Sequence, residues 1–232
     1  MAIEIHEGLR HRKFAVLLAL LCLALAIETI AAKGSARVLS DAVGSVLGAV
    51  TWFVVFQRPR ERAAMGAIIL LALMLSWARY FVAESWVDAL SLTVQALLAV
   101  FLWSAVYTIL RDLFSRRSAG GANVLGAVCG YLIAGAAWGR INAITYLLVP
   151  SAYSFSPEVT ALLPDWHGRE ALFTYYAFTQ MLTLGYNDVN PVRAPATTWS
   201  LFGAMFGLFY TAVVVSQFVG MAQPVKAEGG NE

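Results

Sequence analysis

Few residues in this chain have the type and spacing for chemistry on a bound substrate. His6, His11 and His167 are scattered, so no metal-ligand spacing appears. Cys22 and Cys129 each sit inside an apolar run and read as small buried hydrophobes, not as a disulfide frame or a metal site. No Ser, His and Asp can be placed at one depth, and no glycine-rich phosphate loop precedes a helix. The residues therefore argue against an enzyme and call for no cofactor. What stands out is the stretch 169–191, centred on Thr183-Leu184-Gly185-Tyr186-Asn187-Asp188. It lies between two long apolar segments but is too short and too mixed to cross a bilayer. Such a segment can dip into a membrane only where protein or water covers its backbone. Pro164-Asp165-Trp166-His167-Gly168 offers a turn and a helix start, with Asp165 as cap and Glu170 in the first turn. Residues from Glu170 to about Leu182 suit a short helix. Its carboxyl end carries partial negative charge and points at whatever Thr183 to Tyr186 surround, which favours a cation.

The elements that must position this stretch are apolar. The chain of 232 residues is 59% hydrophobic and 13% charged, against about a quarter charged in soluble domains. Apolar runs at 14–32, 39–56, 63–83, 88–110, 122–149 and 198–222 each approach the ~20 residues that span ~30 Å of hydrocarbon. They predict an all-α integral membrane protein with six transmembrane helices and the lipid bilayer as its first partner. A basic start, an apolar run and Ala31-Ala32 also resemble a signal peptide, but the multispanning pattern favours a retained first helix. No internal repeat argues for duplicated transporter halves.

Loop charges orient the set. Arg10, Arg12 and Lys13, then Arg58, Arg60 and Arg62, then Arg111, Arg116 and Arg117 fall on one side if all six runs span. The opposite side holds Lys33 and Arg37, then Glu84 and Asp88. Cytoplasmic loops carry the excess of Lys and Arg, so both termini are expected in the cytoplasm of a multi-pass cell-membrane protein. The connection 150–197 is then external, with the Ser- and Tyr-containing part between Pro150 and Pro157 at the outer surface. A formal charge of +2 is too small to suggest nucleic acid.

Tyr176-Ala177-Phe178 followed by Thr183-Leu184-Gly185-Tyr186-Asn187-Asp188-Val189-Asn190-Pro191 resembles the pore loop of potassium channels. Gly207-Leu208-Phe209-Tyr210-Thr211-Ala212-Val213-Val214-Val215, ending at Val219-Gly220, resembles the inner helix of bacterial two-helix-type pore domains. The resemblance covers about residues 122–222. It implies a four-helix membrane domain over 1–118 and a pore domain over 119–232. The latter would hold an outer helix 122–149, a re-entrant pore helix and filter at 169–191, and an inner helix 198–222. It also implies a homotetramer, because one chain carries one loop and a carbonyl cage needs four.

Rings of backbone carbonyls replace the water shell of a dehydrated K+. Successive carbonyls face one axis only if the backbone conformation alternates, so some residues must accept positive φ, as Gly185 does freely. On the family pattern the carbonyls of Thr183, Leu184, Gly185 and Tyr186, with the Thr183 hydroxyl and Asn187 at the outer end, form the ion site. The only metal implied is permeant potassium at this filter, with Na+ as a second monovalent cation. Asp188, Gln180 and Tyr176 support it, with Tyr186 pointing outward into packing. Gly207, with Gly203, takes the hinge position, although two glycines four apart also suit close helix packing. Leu208, Thr211, Val215 and Val219 line the cavity and inner gate.

Two departures bear on selectivity. Asn187 stands where the family has its second glycine, and Gln180-Met181-Leu182 stands where Thr-Leu-Thr or Thr-Met-Thr is usual. Asn tolerates the left-handed region better than other ordinary residues, or its amide forms a local turn with Asp188. Between Asp88 and Arg111 there is no Lys or Arg. A moved charge is worth only about 2.3 kcal/mol per 100 mV, so strong voltage gating is not expected of the first four helices. Three charges fall inside predicted helices: Glu28, Arg79 and Arg140. Glu28 with Arg79 suits a buried clamp, and Arg140 suits an anchor through Asp165, Glu170 or Asp188. The short tail after Gly220 encodes no cytosolic ligand-binding domain in this chain. The residues thus point to a potassium-conducting cation channel. A weakly selective Na+/K+ channel and a non-conducting membrane scaffold with a vestigial pore loop stay open beside it.

Overall fold

The computed structural model describes residues 2–31, 37–115 and 121–222, with side chains over 10–28, 37–115 and 121–219. Ala32, Lys33, Arg116, Arg117, the domain boundary at 118 and the tail 223–232 lie outside them.

The protein is built of long helices: α1 (Ala2–Ala31), α2 (Arg37–Val55), α3 (Pro59–Ala78), α4 (Glu84–Ser115) and α5 (Gly121–Leu148). A connection follows with strand β1 (Tyr153–Phe155) and the single turn α6 (Pro157–Thr160). Then come α7 (Trp166–Met181), strand β2 (Val189–Pro191) and α8 (Ala194–Ala222). Five of these, α2, α3, α4, α5 and α8, are long and apolar enough to cross a membrane by length and composition. The fold is that of a mostly helical, membrane-compatible protein. α1 is one continuous helix that begins well before the apolar run predicted at 14–32, and it is not among the five.

Local sequence explains the starts. Arg58 is extended, and Pro59 opens α3 at the first helical position, where a missing N–H costs nothing. Asp165 is extended and accepts the Gly168 N–H at 3.3 Å, capping α7 as its type predicts. That cap starts α7 four residues earlier than Glu170, so Glu170 lies in the second turn and not the first.

α5 is the central post. Its apolar window is 56% buried, against 22%, 17% and 22% for α2, α3 and α8. Small residues on α5 let neighbours approach closely. A Cβ at Gly135 would collide with the Phe178 ring, and one at Gly139 would stand 2.9 Å from the Thr174 Cα. Both contacts seat α7 against α5. On the far side a Cβ at Gly207 would collide with the Met181 carbonyl, so α8 presses its bare backbone against the carboxyl end of α7.

The all-α expectation agrees with the mostly helical chain, and beside the helices β1 and β2 form a short antiparallel ribbon pairing Tyr153 with Pro191, Ser154 with Asn190 and Phe155 with Val189. Within the connection, Pro150, Ser151, Ser154 and Pro157 are exposed, while Ala152 and Tyr153 are buried against Phe173 and Tyr176 of α7. Aromatic side chains there gain more from packing on α7 than from solvent. The ribbon ties the chain after Asp188 back to the end of α5, and so holds residues 182–188 at both ends.

Candidate functional site

The stretch between α7 and β2 is supported from behind and open in front. Residues 182–187 are exposed, while Met181 before them and Val189 after them are buried. The Leu182, Thr183 and Leu184 amides donate to the Phe178, Gln180 and Thr179 carbonyls at 2.9, 3.0 and 2.9 Å. These bonds satisfy the last turn of α7 and turn the chain away from the helix. Beyond it, the Asp188 carbonyl accepts from the Ser156 amide at 3.0 Å. Among the described residues, no hydrogen bond reaches the carbonyls of Thr183, Leu184, Gly185 or Tyr186.

Backbone conformation alternates through the same four residues. Thr183 has φ 54° and Gly185 has φ 68°, and no other described residue has positive φ. Gly185 meets the requirement without strain. Thr183 is β-branched and sits in a region such residues avoid, which costs on the order of 1–3 kcal/mol. The expected strain is therefore at Thr183 and not at Asn187, which keeps negative φ. The alternation stops after Tyr186. The Asn187 carbonyl is taken by the Asn190 side-chain amide at 2.8 Å, so Asn187 does not continue the free strip. A turn between the Asn187 amide and Asp188 does not form either; Asn190 supplies the local bond.

The supporting residues act through named contacts. Tyr175 donates to Asp188 at 2.8 Å, and its ring stacks on Tyr186 with planes 8° apart and centroids at 6.3 Å. Desolvation, and then the Asp188 carboxylate, push the Tyr175 phenol up to about 12, so it stays a donor at physiological pH. Tyr186 remains half exposed within one chain. The Tyr176 hydroxyl meets Ser200 of α8 at 2.9 Å. Gln180 accepts from Asn142 of α5 at 3.2 Å, and Asn142 in turn accepts from Tyr153 at 2.9 Å. The chain β1–α5–α7 is thereby locked just behind the exposed strip. Sequence reasoning missed Asn142 and Tyr153. A fully buried Asn in the middle of an apolar run was the available signal, since intramembrane polar groups are costly and kept for a reason.

α8 runs unbroken through Gly203 and Gly207. The geometry at Gly207 is a close approach to Met181; at Gly203 an added Cβ would meet the Gln180 Oε1 at 3.4 Å. Leu208, Thr211, Val215 and Val219 are all exposed and fall on one helical stripe, at steps of three and four. The Thr211 hydroxyl donates to the Gly207 carbonyl at 3.0 Å.

At the other end of α7 a buried ionic hub gathers residues from α1, α4, α5, α7 and the end of α3. Glu170 receives Arg79, at the C-cap of α3, at 2.5 Å and Arg140 of α5 at 3.1 Å. Arg140 also faces Glu28 of α1 at 3.6 Å and donates to Gln95 of α4 at 3.2 Å. Thr174 donates to Glu28 at 3.3 Å, and the Arg79 guanidinium lies 3.5 Å above the Trp166 ring. The expected Glu28–Arg79 clamp is thus replaced by three ion pairs, Arg79–Glu170, Arg140–Glu170 and Arg140–Glu28. Of the three partners open to Arg140, the structure takes Glu170. Around this core, His167 meets Asp41 at 3.2 Å and Arg169 meets Asp88 at 2.6 Å.

Among the described residues no group of three metal-binding side chains occurs. Comparison with protein-family models, with curated proteins and with solved structures gives no match to this chain.

Proposed function

We propose that the protein is a cation channel, a homotetramer whose filter is the strip Thr183-Leu184-Gly185-Tyr186. The observation that carries this reading is the alternation itself. Positive φ at Thr183 and Gly185, with ordinary φ at Leu184, is the backbone pattern that lets successive carbonyls share one side. Those four residues are exposed and their carbonyls accept no hydrogen bond among the described residues, and the negative end of α7 leads into them. In a single chain such a strip leaves backbone acceptors without partners. A ring of four strips around a dehydrated ion supplies partners to all of them.

In this reading α1 is a sixth span, both termini are cytoplasmic, α5 and α8 are the outer and inner helices, and α7 is a re-entrant pore helix. The exposed stripe Leu208, Thr211, Val215 and Val219 lines the inner cavity. α1 to α4 form a supporting domain clamped to the pore helix through Glu170. Arg79, whose side chain is 1% exposed, is held by that pair and is not a charge free to move with voltage.

K+ is the expected permeant ion. The weakly selective alternative is favoured by one specific observation: the Asn187 carbonyl is bonded to Asn190, which shortens the strip by one donor at its outer end. Protein reconstituted in K+-loaded liposomes should release K+ on dilution into Na+ medium, and its mass in nanodiscs should be that of four chains. Monomers without flux would overturn the channel reading.

A further inference from the structure

A cavity of about 160 Å³ lies between α1, α2, α3, α4 and α5, away from the exposed strip. One water needs only about 10–15 Å³ by this measure, so the space holds something larger. Small residues keep it open. Gly44 and Ala72 line it, and a Cβ built on Gly44 meets no atom within 4 Å.

The cavity has two unlike ends. Leu21, Leu47, Leu73, Leu98 and Phe101 form apolar walls, which disfavour filling by water alone. The other end carries Glu28, Asp41 and Glu170 against Arg79 and Arg140, three carboxylates to two guanidiniums. Both arginines are engaged by Glu170, so Glu28 shares Arg140 at a longer 3.6 Å. Asp41 is met by the Tyr80 hydroxyl at 2.6 Å and by His167. Among the described residues, the polar contacts of the Glu28 side chain fall on one carboxylate oxygen, Oε1, and those of the Asp41 side chain fall on Oδ2. The second oxygen of each carboxylate is without a partner among the described residues. A carboxylate-lined, acceptor-rich end joined to an apolar pocket matches a hydrogen-bond-donating cation with an alkyl or aryl tail.

We infer that this cavity is a binding site for a small amphiphilic amine, its ammonium between Glu28 and Asp41 and its tail against the leucines. An ammonium supplies the donors that the two free oxygens lack and sets a cation beside the carboxylates in a low-dielectric setting. A fatty acid would add a fourth carboxylate to this end, and a neutral alcohol would bring no charge. The site stands whether or not the protein conducts.

Full-length protein in nanodiscs is photolabelled with an octylamine that carries a diazirine in its chain, in parallel with the matching alcohol. Saturable labelling within residues 21–25 and 98–102 is expected, with the amine favoured over the alcohol by at least about tenfold. Glu28→Gln should remove that preference. Gly44→Leu should fill the pocket, fold normally and abolish labelling of both segments. Equal labelling by amine and alcohol in the wild-type protein would overturn the inference. So would labelling unchanged in Gly44→Leu, or labelling confined to outward residues such as Leu70 and Met74.

Discussion

Arg79 and Glu170 lie 2.5 Å apart, one capping the carboxyl end of α3 and the other on α7, and neither side chain is more than slightly exposed. That pair ties the end of α3, and Arg140 on the same carboxylate ties α5, to the helix that leads into the proposed filter. In the proposed channel this gives Arg79 a physical task that needs no charge movement. It holds α7 in place.

Glu170→Gln should therefore destabilise the protein by roughly 3–5 kcal/mol, since two buried guanidiniums lose their shared counter-charge. Arg79→Gln alone should cost a similar amount. The double variant should cost less than the sum by about 0.5–3 kcal/mol, because the residues act as one unit. Thermal unfolding of the four proteins in one detergent measures the coupling, and strict additivity would contradict it.

Gly207 and Gly203 should behave differently. Gly207→Ala places a methyl into the Met181 backbone, which cannot yield without moving the filter entry. A loss of about 1–3 kcal/mol or more and a loss of conductance are expected. Gly203→Ala meets the end of the Gln180 side chain at 3.4 Å and the Trp138 ring at 3.7 Å, ordinary van der Waals contacts, and should be tolerated. If Gly207→Ala kept its stability and changed only open probability, bending and not packing would be the role of that glycine.

Asn187 interrupts the alternation, and its carbonyl is held by Asn190. Asn187→Gly permits positive φ there, and Asn190→Ala frees the carbonyl. Each should raise K+ preference over Na+, read as a shift of the reversal potential toward that of K+. No shift in either variant would mean that the outer end does not set selectivity.

Much of this was legible from residue types, and the remainder depends on contacts that a linear reading cannot rank. The apolar runs, the Asp165 cap and a short helix after it follow from local rules of span length and capping, although that helix starts at Trp166 and not at Glu170. Gly185 announces its own conformation. The choice of Glu170 by both arginines was one option among several, because it depends on how α3, α5 and α7 cross. Thr183, not Asn187, takes the strained φ because the turn off α7 falls there, closed by the Thr183 and Leu184 amides. The ribbon of Tyr153–Phe155 with Val189–Pro191 is too short to leave a period in sequence. Asn142 and Gln95, polar and buried in apolar helices, were visible as types but not as partners of Gln180 and Arg140.

The central claim is that Thr183, Leu184, Gly185 and Tyr186 form a cation filter. Purified protein in planar bilayers with asymmetric K+ and Na+ tests it most directly. The account predicts single-channel currents whose reversal potential lies near that of K+; a value midway between the two ions identifies the weakly selective form. No current across a wide voltage range, from protein whose mass is that of a single chain, would contradict it.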